Sequence, residues 1–108
     1  MVATEELRRW ARALAEGLET AAGKRSFVEC LEMAESAVND WALKHALKIV
    51  RNMVAEGYSL SRAMARFPEV FDGVILTVVR YGEIYGELDL TLRRYADRPE
   101  DLAPSYKP

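Results

Sequence analysis

An all-α fold, a compact antiparallel bundle of about six helices, follows from three features of this sequence. Apolar residues recur at three- and four-residue spacing through most of the chain. No segment alternates with the period of two that a half-buried strand requires. The breaks between periodic stretches carry glycine, proline or a capping serine or aspartate, and they are short, which favours antiparallel neighbours. With 108 residues, 50% of them hydrophobic and 30% charged, the chain is sized for one domain around one core.

The elements read in order as follows. Thr4 is expected as an N-cap, with Glu5 and Glu6 placed favourably against the helix dipole. Leu7, Trp10, Leu14, Leu18 and Ala21 form the first apolar stripe, and Gly23 ends that helix. Ser26-Phe27-Val28-Glu29 is a capping box, in which serine and glutamate satisfy each other's unpaired backbone donors. Phe27, Leu31, Ala34 and Val38 then face inward. Asn39-Asp40 breaks that helix and caps a third, which buries Leu43, Leu47, Val50 and Val54 and is stopped by Gly57. Ser59 opens a short helix to Arg66 that Phe67-Pro68 terminates. A fifth helix is expected from Pro68 through Phe71, Ile75, Val78 and Gly82, and a sixth through Leu88, Leu92 and Tyr95. The domain is taken as 1–97. Residues 98–108 hold three of the four prolines and read as an extended tail or linker.

Composition excludes several classes. One cysteine, Cys30, and one histidine, His45, cannot form an internal disulfide or a thiolate–imidazole zinc site. Cys30 lies in an apolar-periodic stretch and reads as a core or boundary residue. The longest apolar run, Val74 to Val79, falls far short of the ~20 residues of a membrane-spanning helix. A formal charge of −2 does not favour non-specific binding to nucleic acid or anionic lipid, although local basic patches stand outside that argument. One such patch is Lys44, Lys48 and Arg51, at i, i+4 and i+7 on one helix. It reads either as a solvated face or as a docking face for an acidic partner or phospholipid headgroups. Trp10 and Trp41 are expected as core or boundary aromatics. No nucleophile–base pair and no phosphate-binding glycine loop is present, so no enzyme is expected.

The run Arg80-Tyr81-Gly82-Glu83-Ile84-Tyr85-Gly86-Glu87-Leu88 is the most informative segment. Two glycines four positions apart would cost a helix interior roughly 1 kcal/mol each, so the run reads as a tight joint carrying an acidic residue. Further landmarks precede and follow it: Ala22-Gly23, Phe27 to Leu31, Glu56-Gly57-Tyr58-Ser59-Leu60-Ser61-Arg62-Ala63-Met64, Phe67 to Phe71, and Leu92 with Tyr95-Ala96-Asp97. In this order they resemble the type II secretion system F domain, shared with platform proteins of type IV pili and competence pili. The resemblance covers about residues 7 to 97. Its most specific pieces are Gly57, Ser59, Leu60 and Ser61, and then Gly82, Glu83, Gly86 and Leu88. Lys24-Arg25-Ser26 and Tyr85 depart from the family's usual apolar turn and small residue.

The resemblance implies a six-helix cytoplasmic domain of a polytopic inner-membrane protein. It is then a protein-interaction and assembly domain for type II secretion or type IV pilus biogenesis, working at the cytoplasmic face beside a hexameric assembly ATPase. Other inner-membrane components and a second copy of the chain are candidate neighbours. Such proteins carry two copies of the domain and membrane helices, which leaves an excised domain and a free relative as two readings of this chain. No cofactor is required. Calcium binding recorded for some members carries over by motif position to Glu83 and Glu87, and more loosely to Glu29. Glu83 has a second reading, as an acceptor for backbone donors freed at the glycine joint. A rival class is a small DNA-binding module that uses the Ser59–Arg66 helix for recognition, although the acidic balance argues against nucleic acid.

Overall fold

The computed structural model describes residues 2–21 and 23–98, and six helices form among them. These are α1 (Thr4–Ala21), α2 (Phe27–Glu35), α3 (Trp41–Ala55), α4 (Leu60–Met64), α5 (Gly73–Tyr85) and α6 (Leu88–Asp97). Each packs on its neighbours in sequence, and α6 returns to lie along α1, so the helices close into a ring around one core. The radius of gyration, 12.5 Å, is close to the ~13 Å expected of a compact chain of about 100 residues.

The apolar stripes read from the sequence are the core. Leu7, Trp10, Leu14, Leu31, Ala34, Leu43, Leu47, Val50, Ile75, Val78, Leu92 and Tyr95 are all buried. Trp10 is fully enclosed and meets Phe71 at a ring-centroid distance of 6.3 Å. Cys30 is buried against α1, where it faces Gly17. The tail beyond Arg98 lies outside the described residues.

Local capping follows the sequence closely. The Ser26 box forms both of its bonds, with Ser26 Oγ accepting from Glu29 N–H and a Glu29 carboxylate oxygen accepting from Ser26 N–H. Asp40 accepts from Leu43 N–H at 2.9 Å and Ser59 from Arg62 N–H at 3.2 Å.

Four expectations shift. Thr4 is the first helical residue of α1 rather than its cap, because the Ala3 carbonyl takes the first helical N–H bond, from Leu7. Val38 is buried yet lies beyond α2, which stops at Glu35. α5 begins at Gly73 rather than Pro68: residues 68–71 form a turn, and Asp72 caps the helix by accepting from Ile75 N–H. Trp41 is neither core nor boundary; it is 77% exposed.

Helix ends are also satisfied from a distance. The Arg8 and Arg12 guanidinium groups of α1 both donate to the Ala96 carbonyl in the last turn of α6, at 2.9 and 3.0 Å. Arg12 adds an ion pair to Asp97, and Arg93 of α6 pairs with Glu19 of α1. This order of contacts runs α1 and α6 antiparallel. One Glu6 oxygen accepts from both Asn39 and Asp40 N–H at 2.6 Å, at the entry to α3. Those two donors hold the Glu6 carboxyl below its ordinary value of about 4.5, with Arg9 adding to the effect.

α5 and α6 meet closely at Gly82. A side-chain carbon there would stand 2.6 Å from Thr91 Oγ1 and 2.7 Å from Leu88 Cα, and the second of these is backbone that cannot move aside. Gly82→Ala is therefore expected to destabilise the fold by about 1–3 kcal/mol. At Gly17 the nearest atom to the same added carbon is Cys30 Cβ at 3.6 Å, an ordinary contact. Gly17→Ala is expected to be neutral or to stabilise by roughly 0.5–1 kcal/mol through helix propensity. Urea melts of the pair check the contrast. Glu6 gives a pH prediction. Its carboxyl is lowered in the folded state, so its contribution is complete above the ordinary carboxylate pKa and is lost as pH falls through the lowered one. Glu6→Gln is expected to flatten the acid limb of a stability–pH curve and to leave its alkaline limb unchanged.

Candidate functional site

The two sequence motifs, 22 residues apart, meet in space through one carboxylate. Ser61 N–H donates to Glu83 Oε2 at 3.0 Å, and Ser61 Oγ–H donates to Glu83 Oε1 at 2.5 Å. Ser61 is buried at the start of α4, where the backbone N–H groups have no intrahelical partner. Ser59 Oγ covers one of these donors and Glu83 covers another. Gly57 (φ +109°) ends α3 and turns the chain so that Ser59 and Ser61 reach these positions. Glu83 is thus the structural acceptor anticipated from its acidity, but its donors belong to α4 rather than to the glycine joint. Ser61 is the partner that sequence reasoning did not single out for this role. Its signal in the sequence was its place in the Gly57–Ser61 motif, which does not say what the hydroxyl meets.

The joint satisfies itself through backbone alone. Gly86 adopts a left-handed conformation (φ +67°), and the N–H groups of Gly86 and Glu87 both converge on the Gly82 carbonyl. Nothing lies within 4 Å of a side-chain carbon built at Gly86, so conformation rather than space demands glycine there. Glu87 occupies the N-cap position of α6 and makes no side-chain capping bond. Leu88 is half-buried against the core and, with Gly82, Gly86, Glu83 and Asp89, lines a groove beside the joint. Leu18 of α1 and Phe27 of α2 complete that groove.

Large apolar side chains of the same two helices, α5 and α6, stand outside the core. Ile84 is 74% exposed, Tyr85 61% and Leu90 55%. Tyr85 packs its ring on Tyr81, 4.5 Å between centroids. Glu83, Glu87 and Asp89 give the surrounding surface an acidic character.

Phe27 brings the start of α2 to the groove, but Glu29 is turned back onto Ser26. That contact lowers the Glu29 pKa. Among the described residues, no three His, Cys, Asp or Glu side chains stand close enough to hold a metal ion. Calcium takes six to eight oxygens, and Glu83, Glu87 and Glu29 do not gather into such a shell within one chain.

The basic set on α3 is divided. Arg51 is bound to Glu35 and Glu32 of α2, and the Lys44 ammonium donates to the Glu35 carbonyl. Lys48 stays exposed on the same helix. The recognition-helix reading does not survive the geometry of α4. That helix spans only Leu60–Met64; Leu60, Ser61, Ala63 and Met64 are buried, and Ser61 is committed to Glu83. Too few side chains are left outward to read base edges.

A double-mutant cycle tests the Ser61–Glu83 contact. Glu83→Ala is expected to cost about 1.5–3 kcal/mol, the range for hydrogen bonds to a charged acceptor. Ser61→Ala in the Glu83→Ala background is expected to cost much less than in the wild type. Additive costs in denaturant melts would show that the two residues act independently.

The chain was compared with known proteins. The sequence profile of the family "Type II secretion system (T2SS), protein F" matches residues 10–103. The type II secretion system protein F of Vibrio cholerae is 37% identical over 73 residues, 68% of this chain and 18% of the relative. That of Aeromonas hydrophila is 41% identical over 58 residues, 54% of this chain and 15% of the relative. The type IV pilus assembly protein PilC of Myxococcus xanthus is 29% identical over 83 residues, 74% of this chain and 20% of the relative. The chain thus spans about a fifth or less of the length of these relatives. No described helix is long and apolar enough to cross a membrane. With its two motifs joined through Glu83 and the profile matching nearly its whole length, the chain belongs to the type II secretion system protein F family.

Proposed function

We propose that this chain is a cytoplasmic assembly domain of an inner-membrane platform for type II secretion or type IV pilus biogenesis. It works by shape and surface rather than by bond chemistry, and needs no cofactor to do so. The observation that carries the reading is the α5–α6 joint. Its backbone is held by Gly82 and Gly86, its carboxylate anchors α4, and Ile84, Tyr85 and Leu90 are left outside the core. Large apolar side chains left exposed beside a closely packed joint are a common mark of a protein-contact surface. The acidic side chains around them favour a partner with basic residues beside its apolar anchors. In this reading the partner is the assembly ATPase or a neighbouring platform subunit.

The test uses the full-length platform protein that contains this domain. Ile84→Asp with Leu90→Asp changes exposed positions only, so the domain's stability is expected to move by no more than about 0.5 kcal/mol. Co-purification of the assembly ATPase, or failing that of the other inner-membrane subunits, is expected to be lost. Full recovery of both by a folded double variant would overturn the assignment of this surface.

A further inference from the structure

α3 differs from the rest of the chain in its charge. The protein is net negative, yet the fifteen residues Trp41–Ala55 contain no aspartate or glutamate. Trp41, Lys44, His45 and Lys48 follow one another at helical spacing, and all four are exposed. The Trp41 and His45 rings are stacked, 5.5 Å between centroids and 7° from parallel. They form an aromatic stack with polar edges beside the two lysines. The nearby carboxylates are spent elsewhere: Glu32 and Glu35 on Arg51, and Asp40 on the Leu43 N–H. No intramolecular partner holds Lys48 among the described residues.

We propose that this face of α3 docks the domain on an anionic phospholipid bilayer. An indole presented beside ammonium groups matches the boundary between headgroups and acyl chains. The ring enters the interface there while the lysines meet lipid phosphate. Arg51 is neutralised within the protein, so the cationic set that faces outward is Lys44 and Lys48. The surface lies on α3, whereas the joint groove is built from α1, α2, α5 and α6, so this inference stands or falls separately from the proposed protein contact. Binding through so few groups is modest, so it is read at high lipid concentration and low ionic strength.

The chain has two tryptophans, and Trp10 is fully buried, so a change in emission on adding vesicles reports on Trp41. Co-sedimentation with phosphatidylglycerol-containing vesicles is expected, together with a blue shift of Trp41 emission. Pure phosphatidylcholine vesicles are expected to give neither, and added salt is expected to release the protein. Lys48→Glu is expected to weaken binding at least about fivefold, the effect of roughly one surface lysine. Trp41→Ala is expected to reduce sedimentation and abolish the emission change. Lys48 and Trp41 are exposed, and circular dichroism melts verify that both variants fold. A Lys44→Ala variant is measured separately, because that ammonium also holds the end of α2. Equal binding to both vesicle types, no binding to either, or insensitivity to Lys48→Glu would overturn the proposal. Binding to polyglutamate without binding to vesicles would overturn it too, in favour of an acidic protein partner.

Discussion

Short helices cannot stand on their own hydrogen bonds, and the fold of this domain depends on how their ends are satisfied. A helix of five residues, such as α4, has almost no internal N–H···O bonds to offset the entropy of forming it. Its first N–H groups must find acceptors outside it. Ser59 supplies one from the chain's own turn, and Glu83 supplies another from α5. The same solution recurs around the ring. Glu6 of α1 accepts at the entry to α3, Lys44 of α3 donates to the last turn of α2, and Arg8 and Arg12 of α1 donate to the end of α6. In each case one helix provides the charge that the end of another lacks. Helix position and helix stability are therefore set together.

The glycine joint is where this arrangement is most constrained. Gly82 lets α6 approach within van der Waals contact of α5, and Gly86 reverses the chain without side-chain help. Glu83 sits between the two glycines, so the turn that aims α6 also aims the carboxylate at α4. A residue that seals one contact inward places its neighbours outward. Ile84 and Tyr85 follow Glu83 directly and project away from the core. A closely packed joint thus carries exposed apolar side chains, a combination suited to contact with a partner that must find it in one geometry.

Another exposed large aromatic, Trp41, opens α3, and it shows how far composition can mislead. A tryptophan in an amphipathic helix is expected inside, and Trp10 obeys, fully enclosed beside Phe71. Trp41 follows Asp40, which caps α3 and turns the helix so that Leu43, Ala46, Leu47 and Val50 face the core. At that phase position 41 points outward, and His45, one turn later, stacks on it. Burial was decided by the phase of the helix, not by the residue's own hydrophobicity.

Much of this protein was legible in its residues. Period, capping boxes and breakers located the six helices and nearly all of the core, because these signals are local and each states its own geometry. The glycines at 82 and 86 announced a joint, since few other backbone arrangements call for them at that spacing. What the chain could not announce was which remote groups those helices would share. That Glu83 serves Ser61 and that Glu6 serves α3 are matters of three-dimensional placement. A carboxylate reads the same in sequence whether it meets an N–H group, a guanidinium or water. Only the packing of helices distant along the chain decides which of these stands within reach.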